Sequence, residues 1–493
     1  METLYHSTRS KDEVVTSKQA ILTGIAPDGG LYVSDQLGAE KVDLARVAGQ
    51  TYHATARDVL GMLLSDYTDD EVASCVAGAY GSNFDTPAVT PLTPLGADWL
   101  LELYHGPTCA FKDVALQMLP RLMSVAREGN GHNVMIVTAT SGDTGKAALE
   151  GFADVPGTGV TVFYPDGKVS DIQHLQMATQ RGANVAVAGI RGTFDDAQTQ
   201  VKRIFADEQV NARLAAAGTV LSSANSINVG RLVPQVTYYM DAYAQLVQRG
   251  AIKLGDKVDY CVPTGNFGDV LAGYYAKCLG LPVGQLIVAS NTNKVLTDFI
   301  ETGTYDRRRE FVKTISPSMD ILVSSNLERL LYYLTDGDCE RVAAWMADLS
   351  GKGVYTLPAD VMDRMRETFA CGFATDDDTR AAIKSTWETE HVLIDPHTAV
   401  GKCVIDRRAG EGRQRVCLST ANPYKFSADV LAALEASTEG MDGFACMDAL
   451  QQMTGVEAPA QLSSLRTAPV LHPDVCNQDE MAAFVEAACA RIF

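Results

Sequence analysis

From about residue 96 onwards the chain alternates short apolar runs with stretches of helical spacing. Residues 134–138 (VMIVT) read as a buried strand, followed by a Gly/Ser/Thr turn and a helix opening near Thr144. Residues 160–164 (VTVFY) form the next strand, broken by Pro165-Asp166-Gly167, after which Ser170 caps a helix reaching about Arg181. Residues 184–188 (NVAVA) are a third strand, with a helix from about Asp195. The same grammar returns with a strand at 258–262, a helix from about Asp269, and strands at 286–290 and 415–418. Strand, turn and helix in this succession predict an α/β fold of parallel sheets covered by helices.

Other segments break the rhythm. Residues 85–95 (DTPAVTPLTPL) hold three prolines and read as a linker closing an N-terminal unit. Residues 325–390 carry few strand signals and read as mostly helical. The tail has helical spacing around 428–436 and 480–492 and reads as a helical appendage. A length of 493 residues is too great for one core, and at ~150 residues per domain implies about three units.

Charge narrows the partners. The chain has 41 Lys+Arg against 61 Asp+Glu, a formal charge of −20, which repels polyanions and anionic bilayers. No nucleic-acid or membrane partner is expected, and no protein partner is implied. The longest uncharged stretch, between Arg213 and Arg231, is rich in Ser, Asn and Gly and does not read as a span. The N-terminal residues lack the apolar core of a secretory signal. Eleven cysteines with no CxxC pair, and eight histidines without ligand spacing, argue against a disulfide framework and a metal site. A reducing cytoplasm is the expected compartment.

Two glycine-rich turns stand where α/β proteins place ligands, after a strand and at a helix N-terminus. They are Thr138-Ala-Thr-Ser-Gly-Asp-Thr-Gly145 and Pro263-Thr-Gly-Asn-Phe-Gly-Asp269. Neither fits GxGxxG or GxxxxGK[ST], so a dinucleotide or nucleoside triphosphate is not the first expectation. The second offers successive N–H groups and a positive helix end to a small phosphate, although a turn using glycine for geometry alone would read the same. Lys112, in Tyr104-His-Gly-Pro-Thr-Cys-Ala-Phe-Lys-Asp113, has the apolar neighbours Ala110, Phe111 and Val114. Such surroundings destabilise an ammonium and free an amine for Schiff-base chemistry. A lysine starting a helix with its head in solvent would give the same string. Together, the lysine, the phosphate cup and a Ser/Thr-rich strand end at Cys417-Leu-Ser-Thr-Ala421 are the parts that a pyridoxal phosphate (PLP) site requires.

The segment HGPTCAFKDVALQ resembles the cofactor-lysine motif of the threonine synthases, PLP enzymes of the tryptophan-synthase-β fold type. Further motifs agree in order: Tyr5-His-Ser-Thr-Arg9, Gly24-Ile-Ala-Pro-Asp-Gly-Gly-Leu-Tyr32, Ser141-Gly-Asp-Thr-Gly145, Ser223-Ala-Asn-Ser-Ile-Asn228, Ser316-Pro-Ser-Met-Asp320, Ser325-Asn-Leu-Glu-Arg329 and Asp395-Pro-His-Thr-Ala-Val-Gly401. The resemblance runs from residue 5 to about 430 and is strongest to the long bacterial and fungal form. It implies fold type II, with PLP between two parallel-sheet subdomains. The expected division is an N-terminal domain (1–95), a large PLP-binding domain (96–128 and 226–430), a small mobile domain (129–225) and a helical C-terminal appendage (431–493).

The resemblance further implies that Lys112 is the cofactor-binding and catalytic lysine. Gly265, Asn266, Phe267, Gly268 and Asp269 would hold the cofactor phosphate, and Thr420 would meet the pyridine nitrogen. Ser141, Gly142, Asp143 and Thr144 would receive the substrate carboxylate. Lys146, Arg231 and Lys425, by position, would supply charge to a phosphorylated amino-acid substrate. The family's Thr-Ala-His-Pro-Ala-Lys-Phe is altered here, with Asn422 for the histidine and Tyr424 for the alanine. Asn422 can still exchange hydrogen bonds but cannot titrate near neutrality. Arg307-Arg-Arg309 reads as a solvated face, His397 as a residue satisfying backbone groups in a turn, and Cys109 as a packing residue. The implied reaction converts O-phospho-L-homoserine and water to L-threonine and phosphate. A related PLP-dependent phospho-lyase yielding a 2-oxo acid, and a catalytically silent ligand-binding paralogue, are the alternatives.

Overall fold

The computed structural model describes residues 3–129, 131–140, 142–408 and 412–493. Its larger sheet runs Phe369–Phe373, Val283–Ser290, Val258–Pro263, Gln414–Ser419, Asp98–Glu102 and Leu92–Leu95. Every neighbouring pair is parallel except the last, an antiparallel hairpin. Val258–Pro263 is buried along its whole length, as a parallel strand covered on both faces must be.

The smaller sheet is parallel throughout, in the order Val475–Cys476, Val185–Ile190, Thr158–Pro165, Asn133–Ala139 and Thr219–Ser222. The fold class is α/β as the strand–helix alternation predicts. Helices of the N-terminal segment brace the lysine region: the hydroxyl of Tyr80 donates to the Val114 carbonyl at 2.9 Å, and that of Tyr67 to Leu122 at 3.0 Å.

Two expectations need correction. Residues 85–95 are not all linker, because Leu92–Leu95 forms an edge strand, where Pro94 costs no interior ladder bond. Residues 325–390 are mostly helical, as expected, and the opposite edge of the sheet is their strand Phe369–Phe373. Its Gly372 lies so close to Val404 that a Cβ there would fall 2.8 Å from Cγ1, a tertiary fit with no sequence signature. The tail is helical but also contributes a strand. Tyr424 shares a core with Cys446, Met447, Leu450 and Leu462 of the tail and Ile172 of the smaller sheet's side. Val475–Cys476 then joins the smaller sheet, and Met481, Val485, Ala488 and Cys489 of the helix Met481–Ile492 cover Met135, Val137 and Phe163.

Candidate active site

Lys112 opens the helix Lys112–Leu116, and the residues before it are stitched to the end of Gln414–Ser419. Ala110 bridges to Ala421, the Phe111 N–H donates to the Thr420 carbonyl at 2.8 Å, and the Asn422 N–H to the Cys109 carbonyl at 3.0 Å. Buried Thr420 therefore lies beside the lysine segment. Asp113 closes the preceding turn, accepting from the Thr108 N–H at 2.8 Å and hydroxyl at 2.7 Å. Gly106 is required there, since a Cβ would lie 2.4 Å from that of Asp113. Burial pushes the Asp113 carboxyl up to about 6.

The Lys112 ammonium lies 4.7 Å from the centroid of the Phe111 ring and 3.9 Å from Asp143 Oδ2. Burial lowers its pKa to about 8; Asp143 opposes that shift, while Lys425 and Arg231 add to it.

Asp143 comes from the other sheet. It follows the strand Asn133–Ala139 and opens the helix Asp143–Phe152. Thr140 Oγ1 shapes the turn by accepting from the N–H groups of Gly142 and Gly145, each at 3.0 Å. Gly142 has φ 155°, and a Cβ there would fall 2.3 Å from Gln173. Ser141 lies outside the described residues, and Thr144 is half-buried in the first turn of the helix. The Asp143 carboxylate meets the Lys425 ammonium at 2.7 Å and the Ser318 hydroxyl at 3.5 Å. Burial alone would raise its pKa, but Lys425 and Lys112 hold it well below the usual carboxylate range.

The Lys425 side chain is 1% exposed and also donates to the Thr108 carbonyl at 2.9 Å. Arg231 is buried and donates through Nη1 to the Ala224 carbonyl at 2.9 Å. Its Nε has no partner among the described residues, and burial lowers its pKa to about 10. Lys146 is paired: its ammonium contacts Gln180 Oε1 at 2.5 Å and Glu150 at 3.3 Å.

Between the strand Val258–Pro263 and the helix Gly268–Cys278 the chain turns through a left-handed Phe267, φ 61°. The Gly265 carbonyl accepts from the Ser324 hydroxyl at 2.7 Å, and the Asn266 carbonyl from both the N–H and the side-chain amide of Asn326 at 3.1 Å. The N–H groups of Gly265, Asn266 and Phe267 have no partner among the described residues. A Cβ at Gly265 would lie 2.7 Å from the Ser318 carbonyl. Gly268 begins the helix and Asp269 follows, its carboxyl buried among tyrosines. Free N–H groups, a helix N-terminus and a glycine-restricted cradle fit a small phosphate.

The motifs also carry supporting residues whose contacts only the fold reveals. Thr108 holds both Asp113 and Lys425. His397 does satisfy a backbone group, as expected: its Nε2 accepts from the Ser318 N–H at 3.1 Å, while Nδ1 lies 2.6 Å from Asp395. That places it directly behind the serine that faces Asp143. Asn422 caps the turn Pro423–Phe426 by accepting from the Tyr424 N–H at 3.0 Å, and Tyr424 donates to the Val456 carbonyl of the tail. Arg307 and Arg308 are exposed, and Arg309 pairs with Asp298 at 2.7 Å.

Family models match along the chain: "Threonine synthase N terminus" over residues 4–80, "Pyridoxal-phosphate dependent enzyme" over 85–420, and "Threonine synthase, C-terminal" over 398–470. The chain is 39% identical over 429 residues to threonine synthase-like 1 of Macaca fascicularis, covering 85% of itself and 58% of that relative's length. It is 37% identical over 475 residues to the threonine synthase of Schizosaccharomyces pombe, covering 88% of itself and 90% of that protein. The crystal structure of PLP-bound threonine synthase from Brucella melitensis superposes with a TM-score of 0.89 at 36% identity, covering 99% of both chains. With a lysine, a phosphate cradle and two parallel sheets arranged as the PLP enzymes arrange them, the chain belongs to the threonine synthase family of pyridoxal-phosphate-dependent enzymes.

Proposed function

We propose that this chain converts O-phospho-L-homoserine and water to L-threonine and phosphate. The observation that carries the proposal is the Asp143 carboxylate shared by buried Lys112 and Lys425, with buried Arg231 near enough to Lys112 to lower its pKa, together with an N–H cradle suited to phosphate. PLP, when bound, supplies an electron sink conjugated to the substrate amine. Residues 265–269 would hold its phosphate, and Thr420 would meet its ring nitrogen. A hydroxyl there cannot stabilise a charged pyridine as a carboxylate would.

Lys112 is the base. Its lowered pKa of about 8 leaves part of the population as free amine near neutrality. Asp143 then steadies the ammonium formed as Nζ takes a proton from the substrate Cα. One amine on a flexible stem reaches Cα, Cβ and Cγ in turn, so the same nitrogen serves successive transfers. The N-terminus of Asp143–Phe152 receives the substrate carboxylate, and Lys425 and Arg231 receive its phosphate. Closure of the smaller-sheet side excludes water until it is needed. The eleven cysteines, all free, support a cytoplasmic location.

The test combines an absorbance spectrum of the purified protein with phosphate release and product analysis on phosphohomoserine. Wild type should show the near-visible band of bound cofactor and release threonine, and Lys112→Ala should lose both. A 2-oxo acid product would assign the related lyase activity instead. A Lys112→Ala protein that kept band and turnover would overturn the proposal.

A further inference from the structure

Asp269 is the second residue of the helix Gly268–Cys278 and is 6% exposed. Its Oδ1 lies 2.5 Å from the Tyr238 hydroxyl and 3.2 Å from that of Tyr239; its Oδ2 is buried with no partner among the described residues. Gln235 Nε2 donates to the Arg231 carbonyl at 2.7 Å, which fixes the amide so that its Oε1 faces the Tyr238 hydroxyl at 3.0 Å. The Tyr239 hydroxyl is also 3.0 Å from the Asp269 carbonyl. Two phenols thus bring two protons to four acceptor contacts, and an ionised carboxylate brings none.

We propose that Asp269 is a neutral carboxylic acid in the folded protein, a positioning residue that keeps the phosphate cradle free of fixed negative charge. The proton on Oδ1 completes the chain. Oδ1–H donates to the Tyr238 oxygen, Tyr238 donates to Gln235 Oε1, and Tyr239 donates to the Asp269 carbonyl. The unpaired Oδ2 is then the carbonyl oxygen of a neutral acid, which costs far less to bury than half of an unpaired ion. A charged carboxylate two residues into this helix would consume the field that its N-terminus offers a phosphate dianion.

The groups facing Asp269 are consistent with this. Tyr238 and Tyr239 come from the helix Val236–Gln248, Arg231 stands beside Tyr238, and Tyr260 packs on Tyr239. Lys112 is the cation that favours the charged form. Burial outweighs it and both phenols, and holds the carboxyl up to about 7.

Only the purpose of this proton rests on the cofactor reading, so the two are tested separately. Infrared difference spectra of wild type against Asp269→Asn, without cofactor at pH 6, should show a protonated-carboxyl carbonyl stretch that shifts in deuterium oxide. Tyr238→Phe, which removes the proton's acceptor, should move that band. PLP is then titrated into wild type and Asp269→Asn from pH 6 to 9. Affinity of the wild type should fall more steeply above the carboxyl's titration, by up to about tenfold per pH unit relative to the variant. Absence of the band, or parallel pH profiles, would overturn the proposal. A band present in a protein that binds no PLP would instead overturn the proposed function while supporting the neutral acid.

Discussion

Replacing Asp143 with asparagine keeps shape and removes one charge from between two lysines. With an effective dielectric near 20, the attraction at 2.7 Å to Lys425 is about 6 kcal/mol and that at 3.9 Å to Lys112 about 4 kcal/mol, before desolvation is subtracted. Breaking such a buried pair costs stability of about 3–5 kcal/mol, because the remaining ion stays buried. Lys425 cannot escape to water, with its side chain 1% exposed. Asp143→Asn should therefore lower the melting temperature by several degrees at pH 7. The sign with pH is fixed: a depressed carboxyl contributes stability above its unfolded value of 3.8, and the contribution is lost as pH falls below it. The gap between variant and wild type should narrow in acid. Lys112 should also titrate below its present value of about 8, since the first group opposing its burial is gone. Calorimetric melting across pH, with the pH dependence of the rate at which PLP develops its bound absorbance, reads both effects. Unchanged melting and an unchanged rate profile would refute the idea that Asp143 links the two sides of the cleft.

Tyr424→Phe should cost about 1 kcal/mol by leaving the Val456 carbonyl unpaired, and Tyr424→Ala about 3–5 kcal/mol by opening a cavity; limited proteolysis should then cut the tail first, and equal stability of both variants would contradict this. Gly265→Ala places a methyl 2.7 Å from the Ser318 carbonyl, so the chain should fold but lose its cofactor absorbance, and a fully loaded variant would disprove the cradle. Asp241, buried and bonded to Gln245 at 2.7 Å, is raised to about 7 from 3.8, so its contribution is lost as pH rises between those values. Asp241→Asn should flatten that part of the stability profile, and urea melts at pH 5 and 7 that show the wild-type slope would count against it.

Much of the fold was legible because covered parallel strands must be apolar along their length, as VMIVT and VTVFY are. Phe369–Phe373 was hidden because FACGF is short, lies between helices, and earns its place only by fitting against Ser290 and Val404. Leu92–Leu95 was hidden by Pro94, which reads as a loop unless the strand is known to lie at an edge. At the site, contiguous motifs were visible, including Lys112 and the loop 263–269. Gln235, Tyr238 and Tyr239 were not, because their roles arise from contacts between a helix and a distant loop. Lys146 illustrates the reverse limit: its position in a motif suggested charge for the substrate phosphate, and only packing brings Gln180 and Glu150 to its head.

The crossing of the tail has a consequence for synthesis. Val475–Cys476 completes a sheet whose neighbouring strand, Val185–Ile190, leaves the ribosome more than half a chain length earlier. Until residues 475–492 emerge, the face formed by Met135, Val137 and Phe163 is covered only in part, by Ala197, Val201 and Ile204 of the helix Phe194–Ala206, and the sheet keeps an open edge. The half of the molecule that carries Asp143 is thus among the first made and the last sealed.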